Sequence, residues 1–158
     1  MKKTLSALII SLLASGAVAA DSYGFLALWQ NPNDVRDTQV KTTRENATYA
    51  AAKEELDAYC RAQDTLAGVP PGGATGCKTV VPLHNTCAAL AYPKAEIRLT
   101  PENAVIITSP RFKSVHQTAI SQCMKKYGSA GQCTLELAYC TANDYYGGLV
   151  KSLLYRLK

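Results

Sequence analysis

The chain has 158 residues, 47% of them hydrophobic, with six cysteines and a formal net charge of +5 from 17 Lys+Arg against 12 Asp+Glu. That balance is too apolar and too weakly charged for a disordered chain, and the length suits one core rather than several. With two histidines and no cysteine pair two to four residues apart, it lacks the spacing of a structural zinc site.

The first twenty residues read as a secretory signal peptide: Lys2 and Lys3, an apolar run from Leu5 to Leu13, and small residues at Ala17-Val18-Ala19-Ala20. The run is shorter than the roughly 20 apolar residues of a spanning helix, and no later stretch is long enough to span. All six cysteines (Cys60, Cys77, Cys87, Cys123, Cys133 and Cys140) follow this segment. An even count behind a secretion signal implies three disulfides in an oxidising compartment, periplasmic or extracellular.

Tyr23 to Trp29 is a continuous apolar run of strand length, closed by the turn residues Asn31-Pro32-Asn33-Asp34. Trp29 is expected in the core, with a ligand platform as the alternative. Asn31–Thr38 reads as a loop. Thr42-Thr43-Arg44-Glu45 matches a capping box, so a helix is expected from there to about Arg61, with Tyr49, Ala52, Leu56, Tyr59 and Cys60 on one stripe. Asp64–Gly76, containing Pro70-Pro71-Gly72-Gly73, reads as an exposed loop.

Cys77 to Tyr92 reads as two short strands joined through Pro82-Leu83-His84-Asn85-Thr86, with Pro82 expected at a strand end or edge. Glu96–Leu99 and Ala104–Thr108 suggest a hairpin. Ser109-Pro110 suggests the start of a second helix, carrying Phe112, Val115, Ala119, Ile120, Cys123 and Tyr127 on one stripe and stopping at Gly128. Cys133–Cys140 alternates as a strand, with Leu135, Leu137 and Tyr139 expected on one side. Residues 143–158 form a basic tail in which Leu149, Val150, Leu153, Leu154 and Leu157 recur at helical spacing while Lys151, Arg156 and Lys158 lie off the stripe. Docking on the core and contact with a membrane or partner are its two readings.

Two passages run in parallel. Leu28 precedes Cys60 by 32 positions and Leu90 precedes Cys123 by 33. Each passage reads strand–helix–strand with three cysteines in the same order. The expected fold is therefore α+β: an antiparallel or mixed sheet with two helices packed on one face, internally duplicated and disulfide-stabilised. Six cysteines allow fifteen pairings. Equivalent local bridges, Cys60–Cys77 and Cys123–Cys133, leave Cys87 with Cys140, joined across the symmetry.

The opening Tyr23-Gly24-Phe25-Leu26-Ala27, with Cys77-Lys78-Thr79-Val80-Val81 and Asn85-Thr86-Cys87-Ala88-Ala89-Leu90-Ala91, resembles the domain-of-unknown-function family 4189. The resemblance runs from Tyr23 to Thr141, within a domain set at residues 21–142. It departs in one extra residue before Cys60, in Phe25-Leu26, and in Glu96–Thr108, which stands where many members are glycine-rich. It implies a small secreted or envelope protein of bacteria and carries over no catalytic residue.

No nucleophile motif, phosphate loop, dinucleotide fingerprint or calcium loop is present, so no cofactor or metal is expected. His84 beside Asn85 is expected to hydrogen-bond its loop, with a cleft role as the alternative. From Asp21 to Pro110 there are eight basic against ten acidic residues; from Arg111 onward there are seven against two. The function expected first is an exported, non-enzymatic binding module, an inhibitor or immunity-type protein acting on another envelope protein. The second is an anionic-surface binder using the basic C-terminal third, and the third a small effector or hydrolase without a recognisable motif. Trp29, His84, Asn85, Lys151, Arg156 and Lys158 are the candidate binding residues, and no nucleic-acid partner is expected.

Overall fold

The computed structural model describes residues 21–146. The expected signal segment and the basic residues Lys151, Arg156 and Lys158 lie outside the described residues. Six strands and two helices follow in the order β1 (Tyr23–Asn31), β2 (Asp34–Thr42), α1 (Tyr49–Leu66), β3 (Cys77–His84), β4 (Cys87–Pro93), β5 (Val105–Ser109), α2 (Phe112–Tyr127) and β6 (Cys133–Cys140). The α+β class and the three disulfides are as expected. The arrangement differs, because the strands divide into two antiparallel sheets, β2-β1-β3 and β5-β4-β6.

Each sheet is one copy of the same unit: central strand, edge strand, helix, opposite edge strand. Strand parity explains why two sheets form. Leu26 and Leu28 of β1 point one way and meet Leu83, Ala88, Leu90 and Tyr139 in a core shared by both sheets. Phe25 and Ala27 point the other way, onto Ala52 and Leu56 of α1. In β4, Ala88 and Leu90 face the shared core while Ala89 and Ala91 face Phe112, Val115 and Ala119 of α2. Both central strands are thus buried on both faces, as their unbroken apolar runs require. The result is four layers, helix–sheet–sheet–helix, with the helices on opposite outer faces rather than together. Burying a leucine such as Leu26, Leu28 or Leu90 contributes about 1.5–3 kcal/mol.

Each unit carries a bulge in the ladder between its central and last strands, between Leu28 and Trp29 against β3 and between Leu90 and Ala91 against β6. A bulge inserts one residue and turns the strand's later side chains to the other face. That is why Leu135 packs toward α2 while Leu137 and Tyr139 face the shared core, against the simple alternation expected for this strand. Past its bulge, each strand presents a cysteine to its own helix. Cys60 bridges Cys77 and Cys123 bridges Cys133, with Cα atoms 6.0 and 5.9 Å apart. The third bridge, Cys87–Cys140, joins β4 to β6 across a register pair within the second unit, not across the symmetry.

Four local expectations change. Residues 34–42 form a strand, not a loop and cap, because Val40 faces the shared core and Lys41 and Gln39 face α1. The N-cap of α1 is Thr48, whose hydroxyl accepts from Ala51 N–H. Glu96–Leu99 is not a strand: a 3-10 turn spans Lys94–Glu96. Asn103 then ties the loop, donating to Glu96 Oε2 and Arg98 O and accepting from Thr100 N–H. The second helix is capped at Arg111, with Ser109 Oγ accepting from Arg111 N–H, and stops at Gly128, φ 70°.

Candidate functional site

The two units are closed differently. In the second, α2 packs against residues of all three strands: Ile107 of β5, Ala89 and Ala91 of β4, Leu135 and Ala138 of β6. In the first, α1 is drawn toward β2. Lys41 Nζ donates to Glu55 Oε1 at 2.6 Å, Tyr59 Oη donates to Gln39 Oε1 at 3.3 Å, and Asn33 Nδ2 donates to Ala67 O at 2.6 Å. The outer face of β3 is left uncovered, and Val80, Pro82 and His84 are exposed.

Between α1 and β3 runs a groove of about 480 Å³, with Phe25, Tyr49, Leu56 and Val80 as its apolar lining and the Cys60–Cys77 bridge at one end. A second hollow shares Phe25 and Tyr49 and extends it past Pro82 to Tyr23 and His84. Tyr49 and Val80 are 52% and 42% exposed, large apolar side chains open to solvent on facing elements. Their ring neighbours hold the shape: Tyr49 meets Tyr23 edge-on at 5.8 Å and lies 5.8 Å from Phe25.

The bridge end of the groove is charged. Lys53 binds Asp57 at 2.7 Å, one helical turn along α1. Asp64 Oδ1 accepts from Trp29 Nε1 and from Gly76 N–H, both at 2.8 Å. Partial burial pushes the Asp64 carboxyl up, but bonds from Thr75, Trp29 and Gly76 and the nearby Lys78 charge outweigh it and hold it below the usual range. Gly76 is required there: a Cβ would collide with Trp29 Nε1 and lie 2.6 Å from Gln30 O. Arg61 and Lys78 make no ion pair among the described residues.

The structure buries Trp29 to 2% exposure, so its ring is core and only its N–H reaches the groove wall. His84 lies at the groove's other end, stacked flat on Tyr23 with centroids 4.4 Å apart. Asn85 makes the tight link between the units at φ 49°; its Oδ1 accepts from Ser22 N–H and its Nδ2 donates to Asp21 Oδ1. The Asn85 amide foremost, then His84, holds the exposed Asp21 carboxyl below its usual range. His116 Nδ1 lies 3.1 Å from Phe112 O on the other helix. Every cysteine is bridged, and no cluster of metal-ligating side chains is found among the described residues.

Sequence reasoning placed Tyr49 and Leu56 on a buried stripe and did not single out Val80 or Arg61. The missing signal was the lateral shift of α1, which depends on contacts between Lys41 and Glu55 that no local pattern announces.

No helix of the described residues is long and apolar enough to cross a membrane. Neither the curated proteins nor the solved structures gave a match. A family model does match, over residues 23–140, from the first residue of β1 to the last of β6 and so across both units. The chain belongs to the family described as Domain of unknown function (DUF4189).

Proposed function

We propose that this protein is an exported, non-enzymatic binding module of the bacterial envelope, acting on another protein as an inhibitor or immunity-type factor. Its recognition face is the α1–β3 groove. The observation that carries this reading is the asymmetry of the duplication: one unit seals its outer sheet face under α2, and the other leaves apolar Tyr49 and Val80 open beside it. An exposed apolar surface held by a rigid scaffold loses little freedom on binding. Three disulfides support an oxidising location, since such bridges persist outside the cytosol. The signal-like first twenty residues support export.

The test is capture from envelope extract on immobilised wild-type protein and on Tyr49→Arg, with bound proteins identified by mass spectrometry and assayed for loss of activity. A protein held and inhibited by wild type but not by Tyr49→Arg supports the reading. Equal capture by both, or capture without any change in the partner's activity, contradicts it.

A further inference from the structure

We infer that the free edge of β3 takes an extended peptide segment as an added strand, with an acidic residue of that peptide at the Arg61 end. This rests on the α1–β3 groove being the recognition face, and it names the partner's form and the atoms that hold it.

The direction of each backbone group follows from the bonds of β1. Phe25 O accepts from Thr43 N–H, Phe25 N–H donates to Thr43 Oγ1, and Tyr23 N–H donates to Ala47 O. Odd-numbered residues of β1 therefore direct their amides and carbonyls away from β3, toward β2. Gln30 N–H, on the alternate set, donates to Gly76 O on the β3 side. In an antiparallel ladder this alternation is fixed. Leu26 thus bonds toward β3, and its register partner Val81 bonds back. The flanking residues Val80 and Pro82 point outward. Proline occupies a position where no ladder donor is lost to β1, as expected of an edge. What remains on that edge includes the Val80 and His84 N–H groups and the Val80 and Pro82 carbonyls, and among the described residues no other group takes them.

An unpaired row of this kind recognises an extended backbone, whatever its sequence. The same edge residues turn their side chains to the α1 side. Alternate side chains of an added strand would therefore lie against Val80 and Pro82 and toward Tyr49. Charge selects the end. Asp57 is held by Lys53 and Asp64 by Trp29 and Gly76, so the cations Arg61 and Lys78 are the groups left to meet a carboxylate. A second copy pairing β3 to β3 suits the edge less well. It would bring the missing Pro82 amide in twice.

The test screens a random linear heptapeptide phage library on the folded chain, and the most enriched peptide is synthesised with single backbone N-methyl groups. Alternating sensitivity is expected: methylation at every second residue weakens binding at least tenfold, and at the residues between it does not. Val80→Pro, which removes only the outward amide, is expected to lose tenfold or more, and replacing the peptide's acidic residue with its amide to lose several-fold in wild type but not in Arg61→Gln. If Val80→Pro unfolds, the methylation series on wild type still decides. Peptide binding that is lost in Tyr49→Arg but indifferent to methylation overturns strand addition while leaving the groove as recognition face. No enriched peptide, or binding unaffected by Tyr49→Arg, overturns the inference and leaves the envelope-capture test to judge the groove. Sedimentation showing a dimer that Val80→Pro abolishes assigns the edge to a second copy and overturns it as well.

Discussion

Tyr23 lies flat on His84, ring planes 5° apart, at the pair that ends the β1–β3 ladder, as the Cys87–Cys140 pair ends the β4–β6 ladder. In both units this pair joins the start of the central strand to the end of the last one. One copy closes the pair covalently and the other with stacked rings.

A facing pair at the end of an antiparallel ladder makes Tyr23 and His84 a site for a fourth bridge. The double variant Tyr23→Cys, His84→Cys is expected to oxidise spontaneously and to raise Tm, since closing a loop of this length removes about 4 kcal/mol of unfolded-chain entropy in the ideal case. Mass spectrometry without reduction counts the bridges. Two free thiols in the folded variant would show that the two register pairs are not geometrically alike.

The native bridges should differ in worth. Cys87–Cys140 closes a separation of 53 residues and Cys123–Cys133 one of 10. On chain-entropy grounds, removing the first as a Cys-to-Ser pair should cost about 1.5 kcal/mol more than removing the second. Urea denaturation of the two double variants measures the difference, and a larger loss at Cys123–Cys133 would contradict it.

Tyr146 clasps the end of β6. Its buried hydroxyl accepts from Cys140 N–H at 2.8 Å and donates to Glu45 Oε1 at 3.1 Å, and burial foremost raises its pKa well above that of a free phenol. Tyr146→Phe leaves a buried amide unpaired, so a loss of about 1–3 kcal/mol is expected in thermal or urea unfolding. An unchanged midpoint would place the hydroxyl outside the stabilising network.

Acid should loosen the groove wall at Asp64. Its folded-state pKa lies below the unfolded value, so its contribution is present above about pH 4 and is lost as pH falls through the lowered pKa. Asp64→Asn keeps an oxygen for Trp29 Nε1 and removes the titration. The variant's stability should therefore fall less than wild type's between about pH 4 and pH 2, followed by the fluorescence of Trp29. Identical pH slopes would contradict this.

The cysteine spacing and the two apolar central strands make the duplication and its local bridges legible in the sequence. The local bridges survive in a linear reading because each joins the later turns of a helix to the first residue of the strand that follows. The split into two sheets was not legible. It depends on which face of β1 meets which face of β4, and both faces are equally apolar. Asp34–Thr42 was hidden because its charges, the exposed Asp34 and Arg36 and the half-buried Asp37, mask an edge strand as a loop. Of the candidate binding residues in the described region, Trp29 proved to be core, Asn85 a turn, and His84 a groove end. The groove itself arises from a sideways displacement of α1, a tertiary effect that hydrophobic periodicity does not encode.

The central claim is that the open face of the first unit does the binding. The most direct measurement is the affinity of the captured envelope protein for Tyr49→Arg and for Met124→Arg, two comparably exposed apolar positions on α1 and α2. A loss of tenfold or more for Tyr49→Arg with Met124→Arg at wild-type affinity is the expected result. Equal affinities for the two, or a loss confined to Met124→Arg, would contradict it.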